Sequence, residues 1–205
     1  MKIKVVAPGR VNLIGEHTDY NLGFVMPAAI DLFLELTYES HSESTVTAFA
    51  EGFGLAESFS LNNLEPVQGP ANWVDYIKAV YWAFQTAGYR PRGAFISLTS
   101  AIPVGAGLSS SAALELALAK AITVAEGFEI ALPELALICQ RAENDFVGVH
   151  CGIMDQYAVA LVCADKSLLL DCRSLEYSYI PLELDSLQLL IVDSRVERSL
   201  AASAY

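Results

Sequence analysis

Residues 103–113 read Pro103-Val104-Gly105-Ala106-Gly107-Leu108-Ser109-Ser110-Ser111-Ala112-Ala113. The preceding residues 95–99 predict a strand, and residues 112–125, which are rich in Ala and Leu, predict a helix. The first N–H groups of a helix lack partners within it, and the helix dipole adds partial positive charge there. The stretch therefore predicts an anion site, most often one for phosphate. An ordinary strand-to-helix turn with a serine cap has the same composition and is the alternative.

Two common nucleotide-binding motifs are excluded by the spacing of this stretch. A P-loop carries Lys and then Ser or Thr directly after its last glycine, whereas here no lysine follows the glycines before Lys120. The glycine spacing also differs from the dinucleotide fingerprint, and no βαβ unit opens the chain. Gly105 and Gly107 instead allow a ligand to approach the backbone closely. The three serines offer hydroxyl groups to a helix cap, to phosphate oxygens or to a metal ion.

The composition describes a chain with a large core and a strong negative charge. Its 205 residues suggest one large domain or a domain and a fraction, and 54% of them are hydrophobic. The net charge of −12 argues against nucleic acid or an anionic membrane as a partner. An anionic nucleotide would therefore have to bring a cation or meet a local positive field.

The cysteines and the apolar segments predict a soluble, cytoplasmic protein. The four cysteines form no CxxC pair, which favours reduced thiols. Residues 1–7 lack the apolar core of a signal peptide. Asp165 and Lys166 interrupt the longest apolar run before it reaches membrane-spanning length.

The hydrophobic periodicity predicts strands and helices that do not strictly alternate. Strands are expected at residues 2–7, 25–40, 45–50, 58–61, 95–99, 167–171, 177–181 and 187–192. Besides the helix at 112–125, helices are expected after Asn72, from Pro133, near Gly152 and from Ser199. Pro8 is expected to end the first strand and to open a loop over residues 8–23. The pattern favours an α+β fold over a doubly wound sheet.

A second polar stretch is Ala7-Pro8-Gly9-Arg10-Val11-Asn12-Leu13-Ile14-Gly15-Glu16-His17-Thr18-Asp19-Tyr20. Its polar side chains include those of Arg10, Asn12, Glu16, His17 and Asp19. These groups can donate to and accept from several hydroxyls at once, which suits a sugar. A solvated loop with local turn bonds is the alternative, because most polar loop residues face water.

Both stretches resemble motifs of one kinase superfamily. Residues 8–20 are similar to the galactokinase signature, and residues 103–113 resemble the phosphate-binding motif of the GHMP kinases. Residues 151–156 and 171–175 also resemble galactokinase segments, so the resemblance runs over nearly the whole chain. It implies an α+β fold in which a mixed sheet packs with helices, as in the GHMP kinase N-terminal domain (ribosomal protein S5 domain 2-like).

The resemblance also implies a domain content. Residues 1–205 would form a GHMP kinase N-terminal domain that contains the sugar loop and the phosphate loop. The C-terminal GHMP domain and the third motif of the family would be missing, and the chain would end within an unfinished helix. We expect such a chain to be inactive by itself, and an uncovered apolar patch to promote self-association.

The activity implied by the resemblance is ATP-dependent phosphorylation of galactose at its anomeric hydroxyl, which gives galactose 1-phosphate. Arg10 and Asp155 would flank the reacting hydroxyl as the catalytic residues. The sugar would be bound by Glu16, His17, Asp19, Gly152 and Tyr205.

The same resemblance assigns residues to the nucleotide and its cation. Ser111 and Glu143 would hold Mg²⁺, and Trp73 would lie against the adenine of ATP. The phosphates of ATP would lie on the loop formed by Gly105, Ala106, Gly107, Leu108, Ser109, Ser110 and Ser111. Oxygen ligands of this kind suit Mg²⁺, and the cation would offset the negative charge of the chain.

Several of these residues also have ordinary structural explanations. Glu143 lies among charged and amide residues, which is typical of a solvated helix face. Asp155 suits a helix N-terminus, Arg10 suits a surface ion pair, and Trp73 begins the apolar stripe of its helix. Leu22 departs from the family pattern, because a small or acidic residue is usual at its position.

Alternative functions stay open at this stage. The polar loop does not exclude a kinase for a related sugar or an amino sugar. A non-catalytic sugar-binding or sensor protein on the same scaffold is a further alternative, although Asp155 and the serine loop are both intact. The sequence does not decide the oligomeric state.

Overall fold

The computed structural model describes residues 1–184 and 187–192. Its strands are β1 (Lys2–Asn12), β2 (Phe24–Val25), β3 (Pro27–Ser40), β4 (Thr45–Ala50), β5 (Leu55–Ser60), β6 (Ala94–Ser100), β7 (Lys166–Asp171) and β8 (Tyr177–Pro181). Its helices are α1 (Trp73–Thr86), α2 (Ser110–Glu126), α3 (Leu132–Arg141) and α4 (Met154–Ala160). A π-helical turn, Ala142–Val147, directly continues α3.

Among the described residues, eight strands form one mixed sheet. Strands β2, β7, β3, β6, β4 and β5 are neighbours in that order. β1 pairs with β3 and β8 pairs with β7, both antiparallel, whereas β4 and β6 pair in parallel. A mixed sheet packed with helices is the α+β arrangement that the sequence predicts.

Strand β3 follows the alternation predicted for it. Leu34, Leu36 and Tyr38 are buried in the core, whereas Phe33 and Glu39 are exposed. Successive side chains of a strand point to opposite faces, so one face of the sheet packs on the helices. The other face exposes the large apolar side chains of Val6, Phe33, Phe49 and Phe95.

Helix α1 begins at the predicted position because Asn72 caps it. The Asn72 side chain accepts a hydrogen bond from the Val74 N–H, and the Asp75 carboxylate accepts one from the Asn72 N–H. Such a capping box satisfies two N–H groups that the helix leaves free. The buried side chains of this helix include Ile77, Val80, Tyr81 and Phe84, as its periodicity predicts. None of the helices that the structure describes has the length and apolar character needed to cross a membrane.

The prediction that Pro8 ends the first strand is wrong. β1 continues to Asn12 and pairs with β3, with a register shift between Pro8 and Arg10. Proline is tolerated at a bulge and on an edge strand, where its missing N–H breaks no ladder bond. Part of the predicted sugar loop is therefore strand, and its turns begin only at Leu13.

One further strand boundary and one predicted strand differ from the structure. β5 begins at Leu55 rather than Ser58, because it pairs with β4 over its whole length. The strand predicted at residues 187–192 is wrong, since these exposed residues pair with no described strand. An alternating hydrophobic pattern forms a strand only where the edge of a sheet is available for pairing. The helix predicted from Ser199 lies outside the described residues.

Candidate functional site

The continuation of β1 brings the polar loop against the phosphate loop. The Arg10 N–H donates to the Leu108 carbonyl at 3.2 Å, and Arg10 Nη1 donates to the Gly107 carbonyl at 2.7 Å. A Cβ atom at Gly9 would lie 2.9 Å from the Leu108 carbonyl oxygen. A glycine at position 9 therefore permits this close approach of two segments that are distant in sequence.

Arg10 also binds Asp155, the other predicted catalytic residue. Its Nε donates to Asp155 Oδ1 and its Nη2 donates to Asp155 Oδ2, both at 2.8 Å. The side chains are only 12% and 27% exposed, so water screens this pair less than a surface ion pair. The bidentate geometry fixes the orientation of the Asp155 carboxylate at the first turn of α4.

The phosphate loop has the backbone of an anion site. Gly105, Gly107 and Ser109 have φ values of 75°, 72° and 60°, in the left-handed region. Ser109 is the N-cap of α2, but its side chain makes no capping hydrogen bond. Its Oγ is buried and has no hydrogen-bond partner among the described residues. A strained serine with an unpaired hydroxyl beside free helix N–H groups fits an anionic ligand.

Glu143 is buried, so its interpretation as a solvated helix residue is wrong. Its side chain is 2% exposed, because the π-helical turn buries Ala142 and Glu143 together with Phe146 and Val147. Burial and, after it, the negative charge of Asp155 raise the pKa of Glu143 to about 7, although hydrogen bonds from Cys151 and Ser111 act in the opposite direction. Ser111 and Glu143 thus lie side by side, as a shared cation would require.

The sequence does not predict two further buried polar residues at this place. Glu115 and Gln156 are both fully buried. Gln156 Nε2 donates to Glu143 Oε2 at 2.8 Å and to Glu115 Oε2 at 3.2 Å. Burial and the charge of Glu143 raise the pKa of Glu115 well above its ordinary value. The one signal in the sequence is an acidic residue within an apolar helix, four positions after Ser111.

Asn144 is a third residue that the sequence does not predict, and it fixes the segment before α4. Its Oδ1 accepts from the Cys151 N–H at 2.9 Å, and its Nδ2 donates to the Cys151 carbonyl at 3.3 Å. Gln140 Nε2 donates to the same carbonyl at 3.3 Å. The side-chain amides therefore hold the backbone that leads into Gly152.

The turns between β1 and β2 are closed by side chains of the loop itself. Thr18 Oγ1 lies 2.7 Å from the Gly15 carbonyl oxygen and 2.6 Å from the Phe24 carbonyl oxygen, and its single hydrogen can be donated to either. Asn12 Nδ2 donates to Glu16 Oε1 at 3.0 Å, at the base of the loop. Glu16 and His17 are exposed, so their polar groups can reach a ligand.

Asp19 and Gly152 meet, as a shared sugar site requires. A Cβ atom at Gly152 would overlap the Asp19 carboxylate, so only glycine leaves room for it. Burial raises the pKa of the Asp19 carboxyl, and the charge of Asp155 raises it further. Asp19 therefore connects the polar loop to the N-terminal end of α4.

The remaining predicted site residues have different outcomes. Trp73 begins α1 and is partly buried against the core, as its apolar stripe predicts. Tyr205 lies outside the described residues. Leu22, which departs from the family pattern, has a left-handed φ of 57° and is 61% exposed. Small or acidic residues tolerate this conformation better than leucine does.

We predict that Leu22→Gly raises the free energy of unfolding by about 0.5–1 kcal/mol. Glycine relieves a left-handed strain of about 1–2 kcal/mol, less its own greater loss of backbone entropy on folding. Urea unfolding of both proteins measures the difference. Leu55→Gly is the control, because Leu55 is equally an exposed leucine but is not among the described residues with positive φ. A loss of stability in Leu22→Gly as large as in Leu55→Gly would contradict the prediction.

Two family models match this chain. The model of the GHMP kinases N-terminal domain matches residues 75–162, and the galactokinase galactose-binding signature matches residues 2–36. The first range contains the phosphate loop, Glu143 and Asp155, and the second contains Arg10 and the polar loop. The two matches therefore cover the elements that meet at Arg10.

Curated relatives are galactokinases. The galactokinase of Thermococcus kodakarensis is 43% identical over 99% of this chain and 56% of the relative. The galactokinase of Roseiflexus sp. is 47% identical over 98% of this chain and 51% of the relative. The chain thus spans about half the length of the curated relatives that it matches.

Solved structures agree with the predicted fold. Lactococcus lactis galactokinase complexed with galactose matches with a TM-score of 0.84 and 35% identity, over 89% of this chain and 48% of that one. Methanococcus jannaschii mevalonate kinase matches with a TM-score of 0.70 and 23% identity, over 88% and 55%, which shows the shared fold. Together with the galactokinase relatives, both family models show that the chain carries a GHMP kinase N-terminal domain and the galactose-binding signature of galactokinases, and that it corresponds to the N-terminal part of those relatives.

Proposed function

We propose that this chain serves the ATP-dependent phosphorylation of galactose to galactose 1-phosphate, as a galactokinase. The observation that carries the proposal is the position of Arg10. Its guanidinium binds the Gly107 carbonyl of the phosphate loop and the Asp155 carboxylate at once. A phosphoryl donor on the loop and an acceptor hydroxyl at Asp155 would therefore both lie beside the positively charged guanidinium of Arg10, an arrangement that suits phosphoryl transfer.

The sugar would lie between the polar loop and α4. Glu16 and His17 present exposed polar groups, and Asp19 packs against Gly152 close to Asp155. Carboxylates and an imidazole can bind several hydroxyls of one sugar. Tyr205 remains a further proposed ligand of the sugar. The galactose of the Lactococcus lactis complex supports this choice of substrate over a related sugar or an amino sugar.

ATP would bind through the phosphate loop. The N-terminal N–H groups of α2 and the unpaired Ser109 hydroxyl supply donors for phosphate oxygens. Gly105 and Gly107 let the phosphates approach the backbone, and Trp73 at the start of α1 is the proposed contact of the adenine.

The residues present fit a Mg²⁺ ion that arrives with the nucleotide. In the part of the chain that the structure describes, no three His, Cys, Asp or Glu side chains converge on a metal position. Mg²⁺ in kinases needs few protein ligands, because phosphate oxygens and water complete its coordination. Ser111 and Glu143 would hold it, and when bound the ion neutralises phosphate charge.

Asp155 and Arg10 would carry the chemistry. The anomeric hydroxyl oxygen forms a bond to the γ-phosphorus, the bond from that phosphorus to ADP breaks, and the hydroxyl proton passes to Asp155. The bidentate pair with Arg10 orients the carboxylate for this proton. Arg10 would also offset charge on the transferred group, which a planar guanidinium does well.

The state of the cysteine thiols is relevant to the cellular compartment of the protein. Cys139, Cys151, Cys163 and Cys172 are free. Unpaired cysteines support a reducing compartment, and we place the protein in the cytoplasm.

The function is tested by a coupled ADP-release assay with galactose and Mg-ATP. Two proteins are compared, residues 1–205 and the same residues extended by the C-terminal half of the Thermococcus kodakarensis galactokinase. We expect the extended protein to phosphorylate galactose, and residues 1–205 to do so at less than about a tenth of its kcat, since exposed polar groups position substrates poorly. Galactose binding without any ADP release in the extended protein would favour the non-catalytic alternative.

We predict that Gly152→Ala weakens galactose binding by about 10–100-fold, the equivalent of losing one hydrogen bond to a charged group. The added methyl group displaces the Asp19 carboxylate, while the phosphate loop is untouched. Calorimetry with galactose and, separately, with Mg-ADP measures both affinities. Gly52→Ala is the control, because a Cβ atom at Gly52 would meet no described atom within 4 Å. Equal loss of both affinities in Gly152→Ala would indicate general misfolding instead.

A further inference from the structure

Glu115 is a buried carboxyl that the proposed mechanism does not yet use. It lies in α2, one turn after Ser111, and its side chain is fully buried in a helix that is otherwise largely apolar. Burying an ionisable group without a purpose is costly, and an apolar residue of the same volume commonly gives a more stable protein. The contacts of this carboxyl group should therefore explain why it is present at a buried position.

The contacts of Glu115 lead to Gln156. The amide nitrogen of Gln156 donates one hydrogen bond to Glu115 Oε2 at 3.2 Å and another to Glu143 Oε2 at 2.8 Å. Both of its hydrogens are thus directed, one to each carboxyl. Two carboxyl groups therefore fix the orientation of the Gln156 amide. Glu143 is also a proposed metal ligand, whereas Glu115 is not.

Gln156 connects two halves of the site. It follows Asp155 in the first turn of α4, and Asp155 is bound on its other side by Arg10. Through the same amide it contacts Glu143, which hydrogen-bonds with Ser111. A change at Glu115 would therefore reach both the proposed cation ligands and the proposed base without touching either directly.

We infer that Glu115 is a positioning residue, which holds Gln156 so that Glu143 faces Ser111 and the first turn of α4 presents Asp155 to Arg10. This role rests on the proposed function, because it concerns the binding of a metal–nucleotide complex at that site. It requires an oxygen acceptor at position 115 rather than a negative charge.

The test compares Glu115→Leu with Glu115→Gln. Leucine removes the acceptor and fills similar volume, so the fold should be kept, with some loss of stability because one buried Gln156 N–H loses its partner. Glutamine keeps an acceptor oxygen for Gln156. Calorimetry with Mn²⁺–ADP and, separately, with galactose measures binding by residues 1–205, and thermal unfolding measures stability. We expect Mn²⁺–ADP affinity to fall at least tenfold in Glu115→Leu, to stay within threefold in Glu115→Gln, and galactose affinity to change little in both.

Two controls separate positioning from general structure. Thr123→Val removes another buried polar group of α2, whose hydroxyl bonds the Ala119 carbonyl, and should leave Mn²⁺–ADP binding unchanged. In the double variant of Glu115→Leu with Gln156→Leu, affinity should be no lower than in Gln156→Leu alone, because both act through one amide.

The outcomes distinguish the inference from the proposed function. If the unaltered chain binds neither Mn²⁺–ADP nor galactose, the proposed function fails. If it binds both and Glu115→Leu binds Mn²⁺–ADP equally well, the inference is overturned while the function stands. An equal loss in Glu115→Leu and Glu115→Gln, or additive losses in the double variant, would also overturn it.

Discussion

Asp155→Asn is expected to lower kcat by about a thousandfold, within the range that a positioned general base contributes. Asparagine has nearly the same shape and keeps one oxygen for Arg10, but it does not accept the proton of the anomeric hydroxyl. The proposed sugar contacts at Asp19 and Gly152 are unchanged, so galactose affinity should stay within about threefold. The coupled ADP-release assay on the extended protein measures kcat, and calorimetry measures affinity.

The matched control for this substitution is a second ion pair of the same geometry. Arg173 donates from Nε to Asp171 Oδ1 at 2.9 Å and from Nη2 to Asp171 Oδ2 at 2.6 Å. Asp171→Asn therefore breaks an equivalent bidentate pair away from the phosphate loop, and turnover should persist. Near-normal kcat in Asp155→Asn would remove this residue from the mechanism, and a parallel loss in both variants would assign the effect to stability.

Local patterns in the sequence predict most of the fold. The alternation of Leu34, Leu36 and Tyr38 identifies β3 and its buried face, and Asn72 identifies the start of α1. These signals are local, because side-chain period and capping depend on residues close in sequence. Where pairing with a distant strand determines the ends of an element, the prediction from sequence is less accurate. Pro8 continues β1 because β3 pairs with it on both sides of the register shift.

The candidate site depends on contacts that no local pattern contains. Arg10 and Asp155 are separated by 145 positions, and only the resemblance to galactokinases suggested that they meet. The polar neighbours of Glu143 predict a solvated side chain, but a π-helical turn buries it. The contact of Glu115 cannot be predicted from its neighbours, since its partner Gln156 lies 41 positions further along the chain. The candidate site therefore lies where the local sequence pattern and the tertiary contacts disagree.

Gly107→Val is expected to reduce Mg-nucleotide affinity by at least about a hundredfold, equivalent to about 2.7 kcal/mol of binding. A Cβ atom at this position would meet no described heavy atom within 4 Å, so in the free protein the valine side chain occupies open space. That space is where the phosphates would approach the backbone. Galactose affinity should change little, because the Asp19–Gly152 contact is untouched. Calorimetric titration with Mg-ADP and with galactose measures both.

Gly127→Val is the matched control, because it separates loss of the ligand from backbone strain. Gly127 has φ 70°, against 72° for Gly107, and a Cβ atom there would also meet no described atom within 4 Å. It caps the C-terminal end of α2, whereas Gly107 precedes the N-terminal end of the same helix. A β-branched residue is strained in either place, so both variants should lose similar stability in urea unfolding. If both bind Mg-ADP equally well, or equally poorly, residues 103–113 form a structural turn and the nucleotide must bind elsewhere.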